Sequence, residues 1–486
     1  MISASDLYNY LECPTRAYAD HFWDQAGRDD VSPFVKMLWE CGNVYEAKII
    51  EGLDRPFVNL RDLPTQEKVA ATNKAMAERV PLIYGGRIEA NGKVGEPDLL
   101  ELAADGYKPG DIKSGNGFED MEEGEGRLKK NYGIQLAHYV TILRDMEQLS
   151  NDLPYIWDGR GEVVLYDLDQ KLDPKSPSIA ELYSAALTAF SEQTEGQIEP
   201  PPALSSKCKL CHWRSTCREK ISEASDLSLI PMLGRALRDT LLSELRTLDD
   251  LANANLDAFI SGKKTAFRGV GPDRLRLFQE RARLLLDKDA RPYLKQPIAL
   301  PALEREIFFD IEVDPMRDIV YLHGFVERGQ GGQTFHAFFA DEPNPVSEEA
   351  AFRDAVAYLR ARAPAAVYYY SKYERTQYRR LAAKYPGVIS LDEVNALFDN
   401  PAWVDLLDIV RSGTEWPTND HSIKTLAKYL GFKWRDTDPS GAASIEWYDR
   451  YVTTGDDQIR KRILEYNEDD CVATAVLLDG LRAMAK

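Results

Sequence analysis

The sequence has no long apolar run and no excess of basic residues. Its N-terminus, MISASDLYNYLECPTRAY, lacks a basic stretch followed by an apolar one, and no uncharged apolar segment approaches the roughly 20 residues that span a bilayer. We therefore expect neither a signal peptide nor a membrane span. Acidic residues outnumber basic ones by 79 to 60, which gives a formal net charge of -19. Any contact with nucleic acid must therefore use local basic patches rather than overall charge.

Cysteine and histidine are also scarce, with six of each among 486 residues. So few cysteines in so long a chain exclude a small secreted scaffold held together by disulfides. Three of them nevertheless lie within ten residues, and such clustering in a cytosolic protein indicates metal binding. We expect a protein of the reducing cytoplasm, and we assign Cys41 and Cys471 to the core.

The sequence also lacks the phosphate-binding loop of nucleotide-hydrolysing motors. The segment GGRIEANGKV looks at first like a phosphate-binding loop, but five residues separate Gly86 from Gly92. Val94 also stands where such a loop requires Ser or Thr. We therefore expect no nucleotide-hydrolysing motor in this chain.

The length and the changing residue pattern predict several domains. A chain of this size exceeds what one hydrophobic core supports, and about 150 residues per domain gives about three domains. We predict an α/β multidomain protein: an α/β domain over residues 1–220, a small helical linker over 221–295 and a second α/β domain over 296–486.

Residues 1–220 alternate between helical and strand patterns. Ser3 and Ser5 are N-cap candidates for a first helix. Between Val80 and Glu101, short apolar runs are divided by Gly85-Gly86 and by Asn91-Gly92, a pattern typical of hairpins. The later segment KNYGIQLAHYVTILRDM has its apolar residues at helical spacing.

Asp98, Asp111 and Lys113 form a first candidate centre. Period-2 alternation puts Asp111 and Lys113 on one face of a short strand while Ile112 points away. Two aspartates suit Mg²⁺ or Mn²⁺, which activates water and neutralises phosphate charge, and the lysine can orient that water. A salt-bridged surface hairpin would use the same residue types, so the triplet alone does not decide.

The surroundings of this triplet resemble the PD-(D/E)XK nuclease core, specifically the RecB-type exonucleases that include the CRISPR-associated ones. Pro97-Asp98 matches the first half of the motif and Asp111-Ile112-Lys113 the second, while Gln135 and Tyr139 match the Q-x-x-x-Y helix that follows. The resemblance covers residues 1–220 and implies a restriction-endonuclease-like core with these residues in catalysis. Gln135 and Tyr139 are one helical turn apart, so both can reach a substrate.

One position departs from that family. In CGNVYEAKII the family usually has a histidine before the glutamate, and here the residue is Tyr45. We expect Glu46 to supply a metal ligand instead. Because the missing imidazole weakens this centre, we expect the C-terminal centre to be the active one if only one is active.

The cysteine set comprises Cys13 and the C-x₂-C-x₅-C run of Cys208, Cys211 and Cys217. On chemistry alone, four thiolates suit a structural Zn²⁺ ion and a [4Fe–4S] cluster equally, and buried cysteines without any ligand are a third interpretation. Several RecB-like families close a [4Fe–4S] cluster with one cysteine before the nuclease core and three after it. The same order here implies a structural cluster that joins the two ends of the domain.

A second candidate centre lies in the last third of the chain. In REIFFDIEVDP, Asp310 and Glu312 emerge on one face of an apolar strand, and Tyr466 lies one helical turn before Asp470 in EYNEDDCVAT. Acids on a strand and on a late helix suit a two-metal phosphodiesterase site, in which Tyr466 can orient the attacking water. A solvent-facing strand end beside an acidic helix is the alternative.

This part resembles the DEDD 3′–5′ exonucleases of the RNase H-like fold, in the YprB-like branch, over residues 304–484. Asp310 and Glu312 match the first motif, and Tyr466-x₃-Asp470 matches the tyrosine form of the third. In the second motif Glu374 stands where the family more often has Asp, which keeps the carboxylate on a longer arm.

Three neighbouring acids are assigned other roles. Asp469 lies one helical step, about 100°, from Asp470, so we favour Asp470 as the ligand. Asp405 and Asp408 lie between the motifs and are assigned structural roles.

In the linker, GVGPDRLRLF is similar to helix-hairpin-helix modules, whose backbone amides hold DNA phosphates, and a plain helical spacer is the alternative.

These patterns predict a metal-dependent phosphodiesterase with two nuclease centres that use Mg²⁺ or Mn²⁺. We expect a DNA exonuclease or end-processing enzyme, acting on single strands or duplex ends in repair, recombination or defence. One alternative is an exonuclease whose C-terminal domain degrades RNA, which differs from DNA by its 2′-OH. Another is a non-catalytic nucleic-acid-binding subunit that recruits a helicase, a possibility that the departures at Tyr45 and Glu374 keep open.

Overall fold

The computed structural model describes residues 1–119, 126–171, 176–437 and 439–485. They divide into two compact units: unit 1 comprises residues 1–202 and 206–218, and unit 2 comprises residues 203–205 and 219–486. The boundary predicted at 220/221 lies close to this division, and the one predicted at 295/296 lies inside unit 2. A separate helical domain therefore stays a prediction. No helix of the described ranges is long and apolar enough to cross a membrane.

Unit 1 contains both helices and strands. Its helices are α1 (Ala4–Glu12), α2 (Pro14–Phe22), α3 (Pro33–Glu51), α4 (Thr65–Ala77), α5 (Lys130–Asp145), α6 (Ile179–Glu195) and α7 (Arg214–Glu223), the last of which continues past residue 218. Its strands are β1 (Ile2–Ser3), β2 (Val58–Asn59), β3 (Leu82–Tyr84), β4 (Ile88–Ala90), β5 (Lys93–Gly95), β6 (Leu99–Leu102), β7 (Tyr107–Ile112), β8 (Phe118–Glu119), β9 (Arg127–Leu128), β10 (Tyr155–Trp157) and β11 (Val163–Leu165).

The main sheet of unit 1 has six strands in the order β11-β10-β7-β6-β3-β2. Strands β6 and β7 are antiparallel, and β10 runs parallel to β7. Because Leu99 pairs with Gly110, Asp98 at the start of β6 lies beside Asp111 in β7. The register of one strand pair therefore brings together two carboxylates that are 13 residues apart in the sequence.

The hairpin prediction is right at one of its two glycine positions. Asn91 and Gly92 both have positive φ, of 47° and 74°, and they join the antiparallel strands β4 and β5 in a two-residue turn. Gly85-Gly86 instead leads from β3 in the six-stranded sheet to β4 in a three-stranded sheet of order β1-β5-β4. A Cβ on Gly85 would lie 2.6 Å from the Cα atom of Arg61, so glycine here permits a close backbone approach.

Helix α5 is the helix predicted from the segment KNYGIQLAHYVTILRDM. Its inner face buries Ile134 and Ile142 in the main apolar core of unit 1. His138 is buried beside them, and its Nε2 atom lies 3.0 Å from the Val94 carbonyl oxygen. Of the two N-cap candidates, Ser3 caps α1, since its Oγ accepts the Asp6 N–H at 3.1 Å, whereas Ser5 lies inside the helix.

Unit 2 begins with small helices and short strands: α8 (Gly234–Leu241), α9 (Leu248–Asn253), β12 (Ile260–Ser261), β13 (Lys264–Thr265), α10 (Pro272–Leu286) and β14 (Tyr293–Leu294). The larger elements follow: β15 (Glu306–Asp314), β16 (Ile319–Gly329), β17 (Gly332–Phe339), α11 (Pro345–Ala361), β18 (Ala366–Tyr369), α12 (Tyr373–Lys384), α13 (Leu391–Phe398), β19 (Trp403–Asp405), α14 (Leu406–Gly413), β20 (Thr414–Glu415), α15 (Ile423–Tyr429), α16 (Gly441–Thr454) and α17 (Asp457–Met484).

The large sheet of unit 2 is mixed, with the order β17-β16-β15-β18-β19. Strands β17, β16 and β15 are antiparallel neighbours, whereas β18 and β19 continue parallel to β15. The odd-numbered residues of β15, among them Phe309 and Ile311, pack in one core with α11, α12 and α13. Phe308 packs on the other side with α14 and α17. Asp310 and Glu312 therefore share the face that α17 covers.

A buried ion pair ties the small helices of unit 2 to its last short strand. The Arg281 guanidinium in α10 donates two hydrogen bonds to Glu415, of 2.8 and 3.0 Å, and Lys295 donates a third at 2.7 Å. Strand β14 pairs with β20 beside them. Burial raises the pKa of Glu415, but the two cations outweigh it and the net shift is downward. Removing Glu415 would leave the buried Arg281 guanidinium without its ion-pair partner.

His323 is a buried histidine whose ring nitrogens lack hydrogen-bond partners in the described part of the chain. It lies opposite Ile311 on β16, and its ring packs against Phe352 and Tyr378. Burial lowers the pKa of His323 to about 3. The folded state therefore holds this imidazole neutral while the unfolded chain protonates it below about pH 6.5.

We expect His323→Leu to make the protein more resistant to acid. A depressed histidine pKa contributes stability above pH 6.5 that is lost as the pH falls toward 3, at about 1.4 kcal/mol per pH unit, or about 2.7 kcal/mol at pH 4.5. The difference in unfolding free energy between variant and parent should therefore grow as the pH falls, as measured by urea denaturation. His336→Leu, at a partly exposed position, is the control. An equal difference at pH 7 and pH 4.5 would contradict the prediction.

Candidate functional site

Three carboxylates meet on the face of the unit 2 sheet that α17 covers. Asp310 and Glu312 lie on β15, and Asp470 lies in α17. One carboxylate oxygen of each residue lies within 4.8 Å of those of the other two. In the described ranges, no other group of three or more potential metal-ligating residues is this compact. We call these residues the acidic triad. Hard oxygen ligands at this spacing suit Mg²⁺ or Mn²⁺.

Each member of the triad has a neutral hydrogen-bond donor. The Trp434 indole N–H donates to Asp470 at 2.6 Å. The Asn467 amide donates to Asp310 at 2.7 Å. The Tyr321 hydroxyl lies at a longer 3.5 Å from Glu312. These donors come from β16, α17 and the loop before α16, so the triad is held from several elements at once.

Lys424 of α15 supplies a nearby positive charge. Its ammonium donates to the Tyr466 hydroxyl at 2.7 Å, lies 4.7 Å from the centre of the Tyr466 ring and is 3.8 Å from Asp470. The sequence alone did not identify Lys424, Asn467 or Trp434 as site residues, because none lies at a spacing that indicates a function. Only Asn467 lay within a motif, one residue after Tyr466.

Burial and mutual repulsion raise the pKa values of the triad. Burial raises the pKa of Asp310 well above its ordinary value, and the charges of Glu312 and Asp470 raise it further. Burial and the Asp470 charge raise the pKa of Glu312 to about 8, although Lys424 opposes the shift. Burial also raises the pKa of Asp470. Closely spaced buried acids with a single nearby ammonium are a donor set that a divalent cation fits.

Glu374 lies beside the triad rather than within it. It is buried in the first turn of α12, and its Oε2 atom has no hydrogen-bond partner among the residues described. Its charge raises the pKa of Asp310, which places the two carboxylates within electrostatic reach. Burial, followed by the charge of Asp405, raises the pKa of Glu374 itself to about 8. Asp405 also caps α14, since it accepts the Leu407 N–H at 2.9 Å.

The neighbouring acid Asp469 points elsewhere. Its carboxylate accepts hydrogen bonds from the backbone N–H of Arg435 at 2.8 Å and from the Arg435 guanidinium at 2.9 Å. Asp470 alone of the two joins Asp310 and Glu312. The one-residue offset on a helix separates an ion-paired acid from a triad member.

In unit 1, Asp98, Asp111 and Lys113 lie together. The backbone N–H of Ile112 donates to Asp98 at 2.8 Å, and Lys113 forms an ion pair with Asp111. Burial raises the pKa of Asp98 well above its ordinary value, and the charge of Asp111 adds to the shift. The same carboxylates raise the pKa of Lys113 against its burial, so this ammonium stays charged.

Glu46 of α3 faces the same group. Arg61 lies 3.2 Å from Glu46 and 3.7 Å from Asp98, and the Tyr84 hydroxyl donates to Glu46 at 2.9 Å. The preceding residue, Tyr45, donates instead to the backbone carbonyl of Asp158. Within the described part of the chain, Tyr45 shows no hydrogen bond to these carboxylates, whereas Arg61 connects Glu46 with Asp98.

Gln135 and Tyr139 adjoin each other on α5. The Gln135 amide donates to the Tyr139 hydroxyl at 2.8 Å, and that hydroxyl lies 3.3 Å from the Glu96 carbonyl oxygen. Tyr139 is buried, and after burial the charge of Asp111 is the largest cause that raises its pKa. Both residues therefore lie at the edge of the group formed by Asp98 and Asp111.

The four cysteines of unit 1 are less compact than the acids. No three of the Cys13, Cys208, Cys211 and Cys217 sulfurs lie within 4.8 Å of one another, so the described residues show no evident cysteine cluster for an iron–sulfur centre. Cys211 accepts the Trp213 N–H at 3.4 Å. Its pKa is raised by burial, with smaller contributions from Cys13 and Cys208. Cys471 is buried in the apolar core of unit 2, as expected, whereas Cys41 is only partly buried.

Residues 307–482 match a family model described as the RNase_H superfamily. This stretch includes the acidic triad, Glu374 and Tyr466. Unit 2 thus contains a C-terminal RNase H-superfamily domain, and the chain is a multidomain α/β protein. The match does not extend to unit 1, whose fold it leaves unidentified. No curated protein matches the chain.

We expect divalent cations to bind the triad more tightly as the pH rises. A cation competes with protons for the carboxylates, and the Glu312 pKa of about 8 means that binding displaces protons at neutral pH. If one proton leaves, the Mn²⁺ dissociation constant should fall about tenfold per pH unit between pH 6 and pH 8. Isothermal titration calorimetry measures this dependence. The protein used carries Asp111→Asn, which removes one carboxylate of the acidic group in unit 1. Adding Glu312→Gln should weaken binding and flatten it, and an affinity constant from pH 6 to pH 8 would contradict the prediction.

Proposed function

We propose that the chain is a metal-dependent nuclease whose main centre is the acidic triad of unit 2. The observation that carries this proposal is the convergence of three carboxylates, each buried or partly buried, inside an RNase H-superfamily domain. That superfamily indicates nucleic-acid substrates, and a divalent cation bound there would activate water and stabilise charge on a phosphodiester. The finer assignment is a DEDD-type 3′–5′ exonuclease with Tyr466 as the residue that orients water.

Asp310, Glu312 and Asp470 would hold the cation, and Glu374 would complete the acidic set. The Tyr466 hydroxyl accepts a hydrogen bond from Lys424 at 2.7 Å and donates one to Asp470, and this contact with the triad supports a role in which Tyr466 would orient a water. Lys424 would present its ammonium to the developing negative charge on the phosphate. The protein's contribution is thus to hold three carboxylates, one phenol and one ammonium in fixed positions.

We further propose that unit 1 is a second nuclease centre of the RecB-like PD-(D/E)XK type. Support comes from the grouping of Asp98, Asp111 and Lys113, with Glu46 nearby and Gln135 and Tyr139 at the edge. Glu46 and the two aspartates would be the metal ligands. Lys113 is already paired with Asp111 and would orient the attacking water.

The substrate we propose is DNA, as single strands or duplex ends, in repair, recombination or defence. An RNA substrate for the C-terminal domain differs only by the 2′-OH, so matched DNA and RNA oligonucleotides distinguish the two. The alternative of a non-catalytic subunit that recruits a helicase predicts tight binding without metal-dependent cleavage.

We expect Asp310→Asn and Asp111→Asn each to inactivate one centre and the double variant to lose cleavage. Loss of about 3 kcal/mol of transition-state stabilisation corresponds to a rate about 100-fold lower per centre. The measurement is degradation of labelled DNA and RNA oligonucleotides in Mg²⁺ or Mn²⁺. Asp469→Asn is the matched control, because that acid pairs with Arg435 and should leave the rate unchanged. A double variant that still degrades both oligonucleotides would rule out this assignment.

A structural metal group at Cys13, Cys208, Cys211 and Cys217 is also proposed. The C-x₂-C-x₅-C spacing and the electrostatic influence of Cys13 and Cys208 on Cys211 support it. A tetrahedral Zn²⁺ ion with bonds of about 2.3 Å would need sulfurs about 3.8 Å apart. A [4Fe–4S] cluster binds each thiolate to a different iron and spaces the sulfurs more widely. The order of one cysteine before the core and three after it, which resembles that of RecB-like families, favours the cluster over zinc.

We expect anaerobically purified protein to be brown, with absorbance at about 400 nm from sulfur-to-iron charge transfer. Elemental analysis should find about four irons per chain and little zinc. Cys208→Ser should remove the colour, while Cys471→Ser, in the apolar core of unit 2, should retain it. A colourless protein that contains zinc, or no metal at all, would contradict this prediction.

A further inference from the structure

Asn467 is a fully buried polar residue that the nuclease motifs leave unassigned. It lies in α17 between Tyr466 and Asp470, on the side of the helix that faces the sheet. Its amide nitrogen donates to Asp310 Oδ2 at 2.7 Å. The same side chain hydrogen-bonds Glu312. Because an asparagine amide carries two N–H donors, one group can serve both carboxylates of β15.

A missing side chain on the neighbouring strand makes room for this amide. Gly324 of β16 pairs directly with Asp310 of β15. A Cβ at Gly324 would overlap the Asn467 Oδ1 atom far inside van der Waals contact. Glycine inside a strand weakens it and often marks close approach of another group. The approaching group here is the Asn467 side chain.

The oxygen of the Asn467 amide does not help to fix the orientation of the side chain. Asn467 Oδ1 is buried and accepts no hydrogen bond from the residues described. The contacts that select one orientation of the amide are therefore those of its nitrogen with Asp310 and Glu312. Reversing the amide would bring its oxygen against two carboxylates, which repels both.

We propose that Asn467 is a positioning residue that sets the carboxylates of Asp310 and Glu312 for a divalent cation, and that Gly324 is required for this role. The proposal rests on the metal centre proposed above. By binding one oxygen of Asp310, the amide leaves the other for the cation and prevents rotation of the carboxylate. Hydrogen-bonded neighbours of metal ligands orient them in this way.

A neutral donor has an advantage over a cation at this position. An ammonium or guanidinium would hold the same carboxylates but would also neutralise them and repel an entering metal ion. In unit 1, Lys113 already pairs with Asp111 in that way. Asn467 orients two acids without cancelling their charge, so the triad keeps its attraction for a cation.

The test is a direct titration of Mn²⁺, followed by electron paramagnetic resonance, on the full chain carrying Asp111→Asn. Asn467→Leu keeps the size of the side chain and removes both donors, and it should raise the Mn²⁺ dissociation constant 10–100-fold, the usual effect of losing such a neighbour. Gly324→Ala should raise it similarly, because it displaces the same amide. In an Asp310→Asn background, Asn467→Leu should cause a smaller change than in the parent, since one of its two contacts is already altered.

A control separates positioning from general stability. Leu477→Ala lies ten residues farther along α17 in the apolar core, so it should lower the melting temperature and leave Mn²⁺ affinity unchanged. If Asn467→Leu binds Mn²⁺ like the parent while Asp310→Asn does not, the positioning role is wrong and the metal centre stands. If Leu477→Ala weakens binding as much as Asn467→Leu, the positioning role is also wrong. If Asp310→Asn binds Mn²⁺ like the parent, the metal centre itself is wrong, and the positioning role with it.

Discussion

Mutual repulsion among buried carboxylates is the constraint around which unit 2 is organised. Asp310, Glu312 and Asp470 lie within one coordination sphere of each other, and burial removes the water that would otherwise solvate their charges. Two neutral donors, Trp434 and Asn467, hydrogen-bond to these carboxylates. One ammonium, that of Lys424, lies 3.8 Å from Asp470 and partly offsets the negative charge. This leaves a net negative charge that a divalent cation is suited to balance. Helix α17 contributes to this arrangement both a triad member, Asp470, and a neutral donor, Asn467.

The acids of unit 1 are compensated differently. Asp111 has a direct ion pair with Lys113, and Arg61 lies between Glu46 and Asp98. Cations therefore balance much of the charge in this group, whereas in unit 2 neutral donors do most of the orienting. The expectation that the C-terminal centre is the active one if only one is active stays a prediction. In the segment that contains Tyr45 and Glu46, the Tyr45 hydroxyl donates to the Asp158 carbonyl oxygen. Glu46 is the residue of this pair that approaches the acids, through Arg61.

Local patterns predicted much of the fold and most of the candidate residues. Period-2 alternation on β15 correctly placed Asp310 and Glu312 on one face, and the Asn91-Gly92 pair correctly predicted a hairpin. Helical spacing favoured Asp470 over Asp469, and the two acids do face different partners. Gly85-Gly86 has the composition of a hairpin but joins two sheets, because its neighbour is the Arg61 backbone, which comes from a distant part of the sequence. Glu374 matched a motif, yet its separation from the triad depends on where α12 begins relative to β15.

The sequence by itself determined the residue types, their periodicity along each element and hence which faces carry carboxylates. Those properties are local, since a strand alternates and a helix turns whatever lies beside it. Tertiary structure alone decided which acids meet, and it recruited Lys424, Asn467, Trp434 and Gly324 to the site. These residues come from four separate elements, and no spacing in the chain relates them. Only packing brings them to one place, because the need for each arises from a charge that a different part of the chain supplies.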